Sequence, residues 1–147
     1  MEASHTGEMT GTDNAPMTTA VHHVEIWVPD LSRATTSWGW ILNRLGWKDG
    51  DGWPGGMTWT APDGSYVVVE QSPAMSATEH DRMRPGMNHL ALNAASRAEV
   101  DGIVTEAVAH GWTLMFADRH PYAGGPQHYA AFLHNDDGYE VEIVAPG

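Results

Sequence analysis

Between residues 21 and 29 the chain alternates, with Val24, Ile26 and Val28 on one face and His23, Glu25 and Trp27 on the other. A period of two predicts a half-buried strand. At Leu31 the period lengthens: Leu31, Ala34, Trp38, Ile41, Leu42 and Leu45 fall at helical spacing, opened by Asp30 and closed by Gly46. Residues 49–56 read as turn material. Short strands follow near 57–61 and 66–71, joined by Pro62-Asp63-Gly64. After a polar stretch at 72–86 the pattern restarts. Residues 88–93 alternate, with His89, Ala91 and Asn93 on one face. Ser96 and Glu99 form a capping box before the stripe Val100, Ile103, Val104, Ala107 and Val108, which Gly111 ends. Strands near 113–117, 129–133 and 139–144 close the unit.

The two stretches correspond. His23 matches His89 at an offset of 66 and Gly46 matches Gly111 at 65. The end of each unit aligns at 72 if the glutamates are matched and at 74 if the Asp-Gly turns are. A strand–helix–three-strand unit therefore occurs twice, a duplication rather than a solenoid. The predicted fold is α+β, two βαβββ modules with curved mixed sheets around a shared cavity. Residues 20–71 form the first module, 72–86 a linker and 87–147 the second. Residues 1–19 read as a polar tail with no secretory pattern, and His5 there is given no role.

Composition narrows the function. Seven Lys+Arg against nineteen Asp+Glu give a formal charge of −12, which argues against nucleic acid or an anionic membrane as partner. Apolar runs stop at five residues, so no membrane span is expected and the cytoplasm is the expected location. With no cysteine, disulfides and thiolate metal sites are excluded, and any metal must be held by nitrogen and oxygen. Away from the helices the strands present His23, Glu25 and Glu70 in one module and His89, Asn93, Glu140 and Glu142 in the other. Carboxylates at that density need a counter-charge that so few Lys and Arg cannot supply, and a divalent cation would.

His23 in HHVEIWVPD, Glu70 in YVVVEQ, His89 in NHLALN and Glu142 in DGYEVEIV resemble the four metal ligands of the vicinal oxygen chelate superfamily, and the resemblance spans about residues 21–146. That family includes glyoxalase I, extradiol dioxygenases and bleomycin-binding proteins. The resemblance implies a His/Glu/His/Glu set for Ni, Co, Zn or Mn, or for Fe in a dioxygenase. It implies a lyase or isomerase moving a proton next to a carbonyl through a metal-bound enediolate, with Glu142 or Glu70 as base. The alternative it leaves is a metal-free protein that sequesters a cationic drug. Either way the expected partners are a small molecule and a second copy of the chain, as a homodimer, with His23 and Glu70 brought to His89 and Glu142 either within a chain or across two chains. The first helix carries Ser37-Trp38-Gly39-Trp40 where glyoxalases commonly have FY, which leaves the thiol cofactor and substrate open.

Further candidates line the expected pocket. Glu25, Asn93 and Glu140 share the ligand faces, while Trp27 and Trp59 could stack on an aromatic ligand. His120, Tyr122 and His128 flank the loop HPYAGGPQHY, which suits a lid or substrate wall.

Overall fold

The structure, a computed structural model, describes residues 18–147; the expected tail, all but its last two residues, lies outside them. The first module runs β1 (His23–Trp27), α1 (Leu31–Arg44), β2 (Lys48–Trp53), β3 (Gly56–Thr60) and β4 (Tyr66–Glu70). The second runs β5 (Leu90–Asn93), α2 (Arg97–Glu106), a 3-10 turn (Ala107–His110), β6 (Trp112–Leu114), β7 (Ala130–Asn135) and β8 (Glu140–Val144). Each builds a four-stranded mixed sheet, ordered β1-β4-β3-β2 and β5-β8-β7-β6, with only the first pair parallel. The fold is α+β with two βαβββ modules. Both helices start where the sequence places them. Asp30 accepts from the Arg33 N–H at 2.8 Å, and Ser96 accepts from the Glu99 N–H at 3.1 Å.

Residues 49–56 were expected to be a turn, and most of them form β2 instead. Every β2 position is exposed, and its pairing with β3 is interrupted between Asp49 and Gly52. An edge strand with neither face buried carries no alternation to detect, and its glycines read as turn.

One core serves both modules. Ile26, Val67 and Val69 of the first sheet join Val141, Ile143 and Leu133 of the second around Trp38, Ile41 and Ile103. The Trp112 indole N–H donates to the Ser37 carbonyl at 2.8 Å, and its ring meets Trp38 edge-on at 5.3 Å. The Tyr139 hydroxyl donates to the Trp27 carbonyl. Arg33 grips Asp137 through Nε and Nη2, the shortest contact being 2.7 Å. With the aliphatic faces turned into this core, the other face of each sheet is left for chemistry.

Candidate functional site

The two open faces are built on one plan but are differently furnished. Matching backbone bonds set the correspondence. Val28 N–H donates to Glu70 O where Ala94 N–H donates to Val144 O, and Ala61 N–H to Ser65 O where Asn135 N–H donates to Tyr139 O. Gly64 and Gly138 take the same positive φ, +97° and +86°, in the two Asp-Gly turns. The offset at the module ends is therefore 74, not 72. The counterpart of Glu142 is Val68, which lies beside Glu25 just as Glu142 lies beside Ala91. Glu70 corresponds to Val144.

This register separates the expected ligands of the first module. His23 lies opposite Tyr66 and Glu70 opposite Trp27, four residues on. At about 3.3 Å per residue the two rows stand roughly 13 Å apart along the strands. His23 is exposed, stacked on Tyr66 at 4.8 Å with an interplanar angle of 6°. Glu25 accepts the Trp27 indole N–H at 2.7 Å, and both are exposed. Among the described residues Glu25 bonds to no histidine, and His23 meets by hydrogen bond only its neighbour His22, Nδ1 to Nδ1 at 2.9 Å.

The second module gathers its groups. Glu142 is buried, and its two oxygens are held from two sides: Oε1 faces His89 Nε2 at 3.1 Å and Oε2 meets His128 Nε2. β5 and β8 bring His89 and Glu142 onto one face. His128 arrives from the loop before β7, where Gly124 makes room; a Cβ there would come within 2.7 Å of the His128 ring. Phe132, opposite Glu142 in β7, meets His89 edge-on at 5.9 Å, and Phe116 packs edge-on to Phe132 at 5.7 Å. The result is a carboxylate between two imidazoles against an apolar wall. Next along β8, buried Glu140 is met by Arg82 of the linker, 2.9 Å from its Oε1 and off the line of a hydrogen bond, a Coulombic pairing.

The other candidates fall elsewhere. Trp59 is 1% exposed and packs over Gly39 on the helix side, so it is a core residue and not a pocket wall. It lies opposite Val67 of β4 and shares that residue's buried face, which the sequence alone could not orient. Tyr122 packs edge-on to Tyr129, whose hydroxyl donates to Asp101 of α2 at 2.5 Å, on the far side of the sheet from Glu142. Asn93 lines a cleft of about 430 Å³ together with Leu90, Leu92, Val24, Trp47 and Tyr66. His120 is half-buried, its N–H bonded to Phe116 O. Phe132 and Phe116 were not foreseen; the 129–133 run that holds Phe132 reads simply as a buried strand.

Does this donor set suit a metal? His89 Nδ1 faces Asn88 Oδ1 at 2.7 Å, so a neutral ring with its proton there turns a bare Nε2 toward the carboxylate. With the proton on Nε2 instead, the ring donates to Glu142 Oε1, so a proton or a cation can bridge the pair. Nitrogen and oxygen about 3 Å apart are also what neighbouring ligands adopt around one ion at about 2.1 Å. The donor types, imidazole nitrogen and carboxylate oxygen, are those a divalent transition metal takes, but a pair is fewer than such a site needs. Within one chain the expected quartet of His23, Glu70, His89 and Glu142 is not gathered: among the described residues no three His, Asp or Glu side chains group closely enough to hold one ion.

Comparison with known proteins agrees with the topology. The family model for the glyoxalase/bleomycin resistance protein/dioxygenase superfamily matches residues 22–132. The uncharacterized protein YqjT of Bacillus subtilis is 39% identical over 126 residues, 86% of this chain and 98% of that protein. The crystal structure of a proposed glyoxalase from Bacillus halodurans superposes with a TM-score of 0.81 at 38% identity, covering 88% of this chain and 97% of that one. A glyoxalase/bleomycin resistance protein from Albidiferax ferrireducens shares the fold at a TM-score of 0.70 and 19% identity, over 88% of this chain and all of that one. The chain belongs to the glyoxalase/bleomycin resistance/dioxygenase superfamily. Among the described residues no helix is long and apolar enough to cross a membrane.

Proposed function

We propose that this chain is a metal-dependent lyase or isomerase of glyoxalase type, catalysing proton transfer next to a carbonyl. The observation that carries the reading is Glu142, a buried carboxylate held between His89 and His128 on an open sheet face. His89 and Glu142 would hold the metal, with His128 the nearest further nitrogen. The metal would supply polarisation of a substrate carbonyl, which acidifies the adjacent C–H. Glu142 takes that proton, and His128, on its far oxygen, steadies the carboxylate as its charge changes. Phe132 and Phe116 exclude water from one side and favour a substrate with an apolar substituent. A lactoylglutathione lyase from Agrobacterium tumefaciens shares the fold at 17% identity, which supports the scaffold's aptness for this chemistry.

The reading includes a homodimer. The first module's exposed face, with His23, Glu25 and Trp27, makes no closed site in one chain, and a second copy would cover it. Light scattering at micromolar concentration should give twice the chain mass; a monomer would remove this part of the reading.

The function is tested by following hydrogen exchange in deuterated water. The protein, loaded in turn with Ni, Co, Zn or Mn, is offered α-ketoaldehydes and hydroxyketones with and without a thiol. Deuterium should enter next to the carbonyl, and Glu142→Gln should abolish it. Oxygen consumed in step with turnover would replace this reading by a dioxygenase. Exposed Trp27 beside Glu25 is the feature a drug-sequestering protein would use. Quenching of tryptophan by a cationic drug in metal-free protein, without any exchange activity, would favour that reading instead.

A further inference from the structure

Residues 73–86 cross from the first module to the second as a strap held by side chains. Among the described residues no backbone bond ties the strap to either sheet; its N–H groups reach only Ser72 and Asp81. Every residue in it is exposed except Met75, His80 and Arg82. A cavity of about 280 Å³ lies between its first half and Trp27 and Pro29, so that half is not packed down. Two side chains grip the second module. The His80 ring lies flat on the Tyr139 ring, with centroids 4.3 Å apart and planes within 5°. Gly138 admits the strap there, since a Cβ would come within 2.9 Å of the His80 carbonyl. Two residues on, Arg82 meets Glu140 at 2.9 Å.

The His80 contact suits only a neutral ring. Its Nε2 is closed off from solvent and, among the described residues, has no hydrogen-bond partner. A neutral ring protonated at Nδ1 leaves an idle lone pair at that atom. An imidazolium would set a charged N–H there with no acceptor, which costs far more. The Tyr139 face attracts a charged ring weakly and supplies no such acceptor. The charged groups around the ring are Glu79, Asp81, Arg82 and Arg84 of the strap and Asp136 and Asp137 of the turn before β8. Arg82 and Asp137 are taken up by Glu140 and Arg33. Asp81 pulls the ring toward its charged form, but burial outweighs it and holds His80 below its ordinary value.

We infer that residues 73–86 are an acid-released strap, latched on the second module by neutral His80 stacked on Tyr139. The released strap takes up the proton that the latched one refuses. The latch is therefore complete above the ordinary histidine value of about 6.5 and is lost as pH falls below it. Release leaves Arg82 alone to hold the strap on Glu140, at the end of the open face that carries Glu142. The inference does not depend on the reaction proposed above.

With no cysteine in the chain, a nitroxide on Ala77→Cys, an exposed strap position, reports on the strap alone. The full-length labelled protein is read by its spin-label line shape at pH 7.5 and 5.5. The ratio of mobile to immobile label should rise at least about threefold, and by no more than about 100-fold, the ceiling for one proton over two pH units. Adding His80→Phe keeps a ring for Tyr139 but no site for the proton, and the label should stay immobile at both pH values. Adding His80→Ala should leave it mobile at both. Mobility that does not change with pH in the parent, or that falls in acid, would overturn the inference. So would a His80→Phe chain that responds to pH as the parent does, or a His80→Ala chain as immobile as the parent at pH 7.5.

Discussion

The two modules have the same strands in the same order, yet the second closes two histidines on a buried carboxylate at its open face and the first does not. In the second, Glu142 stands opposite Ala91, and His89 and His128 close on it. In the first, the equivalent place is Val68, and the histidine equivalent to His89 stacks on Tyr66. Duplication preserved the turns, caps and register, which folding requires of each copy. It did not preserve the side chains of the open face, which folding does not. The titratable side chains that meet one another at an open face are therefore those of the second module.

The comparison breaks most readily at the carboxylates. Glu142→Gln should weaken transition-metal binding by more than the ~100-fold that an outer partner costs, whereas Glu70→Gln should change it by less than about threefold. Isothermal titration with Ni²⁺ separates them, and equal losses would restore Glu70 to the site. A second difference lies in how each face keeps its acids. Glu140 is buried and depends on Arg82, so Arg82→Ala should cost about 2 kcal/mol in denaturant unfolding, at the low side for a broken buried pair because Arg82 is partly solvated. Glu140→Gln in the same chain should recover most of that. Stability unchanged in Arg82→Ala would mean that Glu140 is hydrated.

Much of this was legible in the chain. The period-two runs around Ile26 and Leu90, the caps Asp30 and Ser96, and the pairing of His23 with His89 were enough for two βαβββ units. β2 was not legible, because a strand exposed on both faces has no pattern. Aligning Glu70 with Glu142 followed the glutamates, whereas the backbone aligns Val68 with Glu142; both Glu70 and Val68 fall on the open face, and a carboxylate attracts attention that a valine does not. The Asp-Gly turns held the correct offset. His128 stood out as part of a glycine-bearing loop, but only the fold shows it closing on Glu142. The aromatic wall was hidden, since Phe132 in an apolar strand looks like core until the register sets its face.

Smaller effects sharpen the contrast. Gly124→Ala should push His128 away from Glu142 and weaken metal binding about tenfold with little change in Tm, a result the first module, lacking such a loop, cannot mimic. An unchanged affinity would show that His128 only neighbours the site. At the junction, burial and the nearby charge of Asp137 push the Tyr139 phenol up to about 12. A folded value above the unfolded one near 10 means that its contribution is complete below pH 10 and is lost as pH rises toward 12. Ultraviolet titration should therefore show Tyr139 ionising last, and Tyr139→Phe should remove that part of the alkaline loss of stability. Ionisation of Tyr139 near pH 10 would place water at the junction.

The measurement closest to the central claim is anomalous diffraction at the metal edge from crystals grown with Ni²⁺. One peak per chain should lie at about 2.1 Å from both His89 Nε2 and an oxygen of Glu142. A peak bound by Glu70, or no peak near Glu142 at saturating metal, would contradict the claim that the second module carries the site.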